Sequence, residues 1–217
     1  MQTLQSETVQ EKALHMTHSF WNDIFIRRFR LLIPGLILCF FLLSGCAGNV
    51  INLSYPPMQQ DIPSTAKKGI TVCVVDFENK RPAYPIGERQ DGSPILPRVP
   101  VERWLATGVA EELKRGGYTV LMAETLPDAL DKGSDYIITG EADEVWLAET
   151  SLTRYTGTIR ASITLLDGAG SHITKNGYNS VYSKGILPVY GVPQTLLNDA
   201  LAEMLQPAAR LLFKTMQ

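Results

Sequence analysis

The sequence predicts an α+β fold, a mixed sheet in β-α-β-(α)-β-β-β-α order with helices packed on one face. Three observations carry this reading. A continuous β-branched run, ITVCVVDF, is followed by a helical stripe and then by a second apolar run. Two long segments further on alternate apolar and polar residues with a period of two. The chain closes on apolar residues at helical spacing, and this succession of elements builds a sheet with a helical layer over it.

The elements follow in order from Ile70. ITVCVVDF has the composition of a strand buried on both faces. Pro100 suits a first helical position, and Val101, Leu105, Val109 and Leu113 recur every four residues before Gly116-Gly117 stops the helix. Trp104 and Ala110 widen that stripe, and Glu111 is placed to pair with Arg115 on its wet side. YTVLMA begins almost at once, so strand, helix and strand form a crossover with parallel strands. A short helix is expected over Leu126 to Lys132. SDYIITGEADEVWLAE and TRYTGTIRASITLLD are long strands; the second puts Tyr155, Gly157, Ile159, Ala161, Ile163 and Leu165 on a dry face. Asp167-Gly168-Ala169-Gly170 turns the chain into SHITKNGYNSVYSKG. A helix from about Pro193 carries Leu197, Leu201, Met204, Leu205, Ala208, Leu211 and Leu212 toward the core. No internal repeat and no low-complexity tract interrupts this plan.

The first 45 residues read differently. Arg27, Arg28 and Arg30 precede an apolar run of thirteen residues, Leu31 to Leu43. A spanning helix needs about 20 apolar residues, whereas the apolar core of a secretory signal takes about 7 to 15. The run is followed by Leu43-Ser44-Gly45-Cys46, which resembles the lipobox of bacterial lipoproteins. That resemblance implies cleavage before Cys46, a diacylglyceryl group on its sulfur and acyl chains that hold the mature chain to a membrane. Several chains are needed, since each buried CH₂ contributes only about 0.8 kcal/mol. The expected organisation is thus a signal peptide over 1–45, with Met16 as an alternative start, an acylated cysteine and tether over 46–69, and one domain over 70–217. The tether reading rests on AGNVINLSYPPMQQDIPSTAKKG, rich in Asn, Ser, Gln and Pro.

Charge and inventory exclude several functions. Of 20 basic and 22 acidic side chains, four and three fall before Cys46, leaving 16 against 19 and no dense cationic stripe for nucleic acid. With Cys39 in the signal and Cys46 acylated, Cys73 is left alone between valines, a buried core thiol with no disulfide partner. One histidine, His172, remains beyond the signal, beside a turn. No phosphate-binding loop, nucleophile elbow or zinc-protease motif occurs, so no catalytic residue, metal or cofactor is assigned. Glu141, Asp143 and Glu144 are the acidic group nearest to chemistry. On a regular strand Glu141 and Asp143 share a face about 7 Å apart while Glu144 points away, an arrangement of solvated strand residues.

The segment most suggestive of recognition is ENKRPAYPIGERQDGSPILPRVP, 23 residues from Glu78 to Pro100 with five prolines. Structureless loops beyond about 12 to 15 residues are uncommon in compact domains unless functional or disordered. Arg81, Tyr84, Arg89 and Arg98 are its candidate partner-binding residues, with Ile86, Ile95 and Leu96 as apolar anchors; the competing role is to cover a sheet edge.

KKGITVCVVDFENKRP, ELKRGGYTV, YTGTIRASITLLDGAGSHITKNGYNSVYSKG and the terminal helix, together with the lipobox, resemble the YajG family of uncharacterised bacterial lipoproteins. The family in turn resembles small α+β envelope domains, including auxiliary lipoproteins of lipid-transport systems and the amino-terminal domain of TolB. The resemblance implies a fold and a location and brings no catalytic residues. Ala47 after the cysteine, rather than the aspartate that retains lipoproteins in the inner membrane, points to the periplasmic face of the outer membrane. The expected function is a non-enzymatic interaction or accessory module with an envelope protein partner. An auxiliary lipoprotein of a transport complex and a carboxylate-dependent hydrolase are the alternatives.

Overall fold

The β-branched run forms its strand because alternate side chains find apolar cover on both sides. Val72 and Val74 join the main core, and Cys73 and Val75 a second cluster on the opposite face. The computed structural model describes residues 49–55, 69–151, 154–185 and 192–217. Met16, the lipobox residues Leu43, Ser44 and Gly45, Cys46 and residues 56–68 of the expected tether lie outside them.

In chain order the elements are β1 Val50–Ile51, β2 Thr71–Val75, β3 Glu78–Asn79, β4 Gly87–Glu88, β5 Pro94–Pro97, α1 Val101–Arg115, β6 Thr119–Ala123, α2 Leu126–Asp131, β7 Tyr136–Ser151, β8 Arg154–Asp167, β9 His172–Gly185 and α3 Val192–Thr215. The α+β class, the mixed sheet and the order of the longer elements are those the sequence predicts; the chain adds the short strands β1, β3, β4 and β5, and α2 packs on the face opposite α1 and α3. The long strand β7 has β8 antiparallel along one edge. Its other edge is shared in succession by β2, β3 and β4, all parallel to it. Beyond them, β6 runs parallel to β2, β5 antiparallel to β4 and β1 parallel to β5, while β9 extends the sheet from β8.

Helices α1 and α3 bury the main core against one face. The predicted stripe Val101, Leu105, Val109 and Leu113 is fully buried, as are Leu197, Leu201 and Leu205 of α3. The helix α1 ends as expected: Gly117 takes a φ of +91°, which costs glycine little. On its exposed side the pairing differs from expectation. Lys114 meets Glu111 at 2.7 Å, and Arg115 turns inward to Glu112, because a buried carboxylate is the stronger attraction. The short helix α2 is capped by Thr125, whose hydroxyl accepts from the Asp128 amide, and its Ala129 closes the second cluster over Cys73, Ile137 and Leu166.

The tether reading is corrected for residues 49–55, which belong to the folded body. Asn49 and Ile51 accept backbone hydrogen bonds from Leu96 (2.7 Å) and Arg98 (2.8 Å). Leu53 and Tyr55 are only 4% and 8% exposed. The Tyr55 hydroxyl donates to Glu112 Oε1 at 2.6 Å, and Arg115 holds the other oxygen of that 2%-exposed carboxylate. Burial, and then Glu112, push the Tyr55 phenol far above its ordinary pKa. Gln194 at the start of α3 donates to Ser54 at 3.0 Å. The physical reason is a period of two concealed by polar composition: Ile51, Leu53 and Tyr55 face inward from an extended chain, while Asn52 and Ser54 are exposed.

Leu53→Ala is therefore expected to cost about 2 to 5 kcal/mol, the range for a buried leucine. Tyr55→Phe, which leaves a buried carboxylate oxygen without its donor, is expected to cost about 1 to 3 kcal/mol. Denaturant unfolding of the domain from Asn49 onward measures both, and a free tether would give neither loss.

A candidate interaction surface on the open sheet face

Away from α1 and α3, strands β7, β8 and β9 present a polar face. Its rows follow from the register: Glu141 stands opposite Ser162, Glu144 opposite Arg160 and Trp146 opposite Thr158, and β9 continues them with Gly177, Asn179 and Val181. Lys175 Nζ donates to Glu141 Oε2 at 2.6 Å and Ser162 Oγ donates to the same oxygen at 2.9 Å. Arg160 bonds Glu144 across the strands. The Lys175 ammonium, and then the Ser162 hydroxyl, hold the Glu141 carboxyl below the usual carboxylate range.

The expected facing of the acidic group is corrected here. The register slips between Ala142 and Glu144, so Asp143 is an extra residue bulged out of the ladder. A bulge reverses the alternation beyond it, and Glu141 and Glu144 consequently point to the same face. Nothing in the composition of GEADEV marks the slip.

The proline-rich segment is not structureless. It supplies β3, β4 and β5, and it covers the β7 edge beyond the reach of β2. Gly87 makes the approach possible, for a Cβ there would stand 2.1 Å from the Leu147 carbonyl oxygen. Ile86 and Ile95 are buried in the domain's own core, so they are not anchors for a partner as the sequence reading has it. Nor do the four predicted binding residues converge. Arg81 reaches Asn79 Oδ1 at 3.0 Å and the Pro85 carbonyl at 3.4 Å, and its burial lowers its pKa. Tyr84 stands 67% exposed on the same turn. Arg89 donates to Asn49 Oδ1 at 2.7 Å and faces Glu149 at 3.8 Å, past the end of β4. Arg98 is exposed at the far end of β5. Arg81 and Arg89 thus brace the chain, while Tyr84 and Arg98 are free to meet a partner.

Two features escaped sequence reasoning. A groove of about 280 Å³ lies where Arg81, Pro82 and Pro85 stand over the bulge, with Asp143, Trp146 and Arg160 as its opposite wall. The second is the edge of β9: 13 of its 14 residues pair with β8, Ile173 lying out of register, and among the described residues no strand lies on its other side. Val181, 58% exposed, stands on the open face beside that edge. Cys73 is buried, with its thiol pKa raised by that burial, and His172 is exposed at the turn. Among the described residues no group of three His, Cys, Asp or Glu could hold a metal ion, and no helix is long and apolar enough to cross a membrane.

No protein-family model matches the chain, and no curated protein matches its sequence. Solved structures do. Protein XCC0632 from Xanthomonas campestris, of family DUF330, superimposes with a TM-score of 0.53 at 12% identity, covering 76% of this chain and 95% of that one. A PelC dodecamer structure from Paraburkholderia phytofirmans gives 0.45 at 16%, covering 65% and 90%. Lipoprotein GNA1162 from Neisseria meningitidis gives 0.37 at 16%, covering 62% and 96%. The first likeness is one of fold alone, and the other two are too loose to bear on function.

Glu141 gives a pH test. Its pKa is lowered on folding, so the stabilisation from Lys175 is present above the ordinary carboxylate pKa and is lost as pH falls through the folded value. Lys175→Met should cost about 0.5 kcal/mol at neutral pH, the scale of an exposed pair, and progressively less as the pH is lowered and Glu141 takes up its proton; thermal melts over a descending pH series check this. Replacing residues 80–98 by a short Gly/Ser bridge should leave the β7 edge and the core beneath Ile86 uncovered. The variant is expected to self-associate, which light scattering measures.

Proposed function

We propose that the mature chain is a lipid-anchored cell-envelope lipoprotein of the YajG type, acylated at Cys46 and facing the periplasm from the outer membrane. It acts as a non-enzymatic accessory module that engages an envelope protein through its open face and β9. The observation that carries the interaction reading is β9, a long strand that among the described residues is paired along one edge, with Val181 exposed beside the other. Such an edge offers backbone donors and acceptors to a partner strand, and the side chains of the open face give the pairing its register. The Arg81 to Pro85 turn and the groove beneath it adjoin the same face.

The state of the carboxylates supports this against hydrolysis. A hydrolytic pair needs one carboxyl kept protonated near neutral pH. Glu141 is displaced the other way by Lys175, and Glu144 is bound by Arg160.

The anchor is tested by Cys46→Ala, which should abolish acylation and leave the precursor unprocessed at this site; normal lipid labelling of the variant would end the lipoprotein reading. The partner is tested with photo-crosslinking side chains at Val181 and Tyr84 in cells, followed by mass spectrometry. The same envelope protein should be captured at Val181 and lost on charge insertion by Asn179→Asp, while the melting temperature stays unchanged. Capture that ignores the β9 substitution would remove this edge from the role.

A further inference from the structure

The strand β1 bears on how the domain meets its membrane, an inference that rests on the anchor proposed above. Three peptide units separate Cys46 from Asn49, the residue whose carbonyl accepts from Leu96 and whose side chain accepts from Arg89. An extended chain spans at most about 3.5 Å per residue, so the acylated residue stands within about 11 Å of the folded body. The 23-residue tether of the sequence reading would instead reach about 80 Å. The headgroup layer of one leaflet is itself about 5 to 8 Å deep.

The register fixes which end of the sheet is held there. Asn49 precedes the Val50–Leu96 pair, at the end where the β4–β5 turn, Arg89 to Ser93, also lies. The parallel pairing of β4 with β7 brings the last residues of β7 to that end, and with them Arg154 at the start of β8 and Lys184 at the close of β9. The Asp167 to Ser171 turn is at the opposite end, across the 14 residues of β8, a span of about 45 Å. We infer that the end formed by Asn49, the β4–β5 turn, Arg154 and Lys184 is a membrane-docking surface that rests on the phospholipid headgroups around the acyl chains. Among the described residues, Val50, 51% exposed, is a large apolar side chain at this end. Among the described residues the exposed charges balance, Arg154 and Lys184 against Glu88 and Asp91, and Arg89 is engaged with Glu149. Contact is therefore imposed by the short leash and not by attraction to anionic lipid. It orients β9 and the open face along the membrane normal, where a partner in the periplasm can reach them.

The experiment uses the full chain, processed in cells and reconstituted into phosphatidylethanolamine/phosphatidylglycerol vesicles. A thiol-reactive fluorophore is attached at Asp91→Cys, Lys184→Cys or Ala169→Cys; Cys73 is buried and does not compete. Headgroup-labelled nitroxide lipid should quench the first two and leave the third bright, at high and low phosphatidylglycerol alike. A long Gly/Ser insert between Gly48 and Asn49 should abolish the quenching while lipid labelling and melting temperature stay unchanged. Equal fluorescence at all three positions in a protein shown to be acylated would overturn this inference and leave the anchor standing. Absence of acylation would overturn both. Quenching that survives the insert would show that the surface binds lipid by itself and would overturn the leash as its cause.

Discussion

Everything in this domain is referred to one strand. At 16 residues, β7 is longer than any neighbour on its parallel edge can match, so that edge is satisfied piecemeal by β2, β3 and β4. An unpaired backbone group buried away from water costs as much as a lost hydrogen bond, and this demand explains the shape of the chain between β2 and α1. The proline-rich segment lays two strands of two residues each, β3 and β4, along an edge that the five residues of β2 leave uncovered. It cannot stand alone, so β5 covers β4, and β1 covers β5 from a segment before the main core. The strap continues into the helical layer, where Tyr55 meets Glu112.

The regular elements were legible because each carries its own period. The four-residue stripe of α1, the β-branched β2 and the alternation of β8 are local signals, and they placed the layers correctly. What stayed hidden depends on partners distant in sequence. Ile51, Leu53 and Tyr55 alternate over too few residues, amid too much Asn and Ser, to declare a strand without knowledge that β5 waits for one. Ile86 and Ile95 read as apolar anchors because their pocket is built by other parts of the chain. The bulge at Asp143 leaves no mark in composition, and it alone decides that Glu141 and Glu144 share a face.

Those differences change what the surface can do. A loop with four converging binding residues becomes a braced edge in which Arg81 and Arg89 serve the fold and Tyr84 and Arg98 stay exposed. The recognition surface we propose lies instead on the opposite side of β7, on the polar face whose charges are paired across strands and on β9. The lipobox stands outside the described residues, yet its meaning is altered by the fold. If Cys46 is acylated as proposed, a domain whose described fold starts at Asn49 leaves almost no slack between the anchor and the sheet, and a reach set by covalent geometry would do the work of a specific membrane contact.

The central claim is that the chain from Asn49 to Tyr55 is a structural member of the domain. Amide hydrogen exchange at Leu96 and Arg98, which donate to Asn49 and Ile51, tests it most directly. The account predicts protection of both amides comparable to that of Leu147 in β7, because β1 opens only with the core beneath Leu53 and Tyr55. Exchange of Leu96 and Arg98 at free-chain rates, with Leu147 still protected, would contradict it.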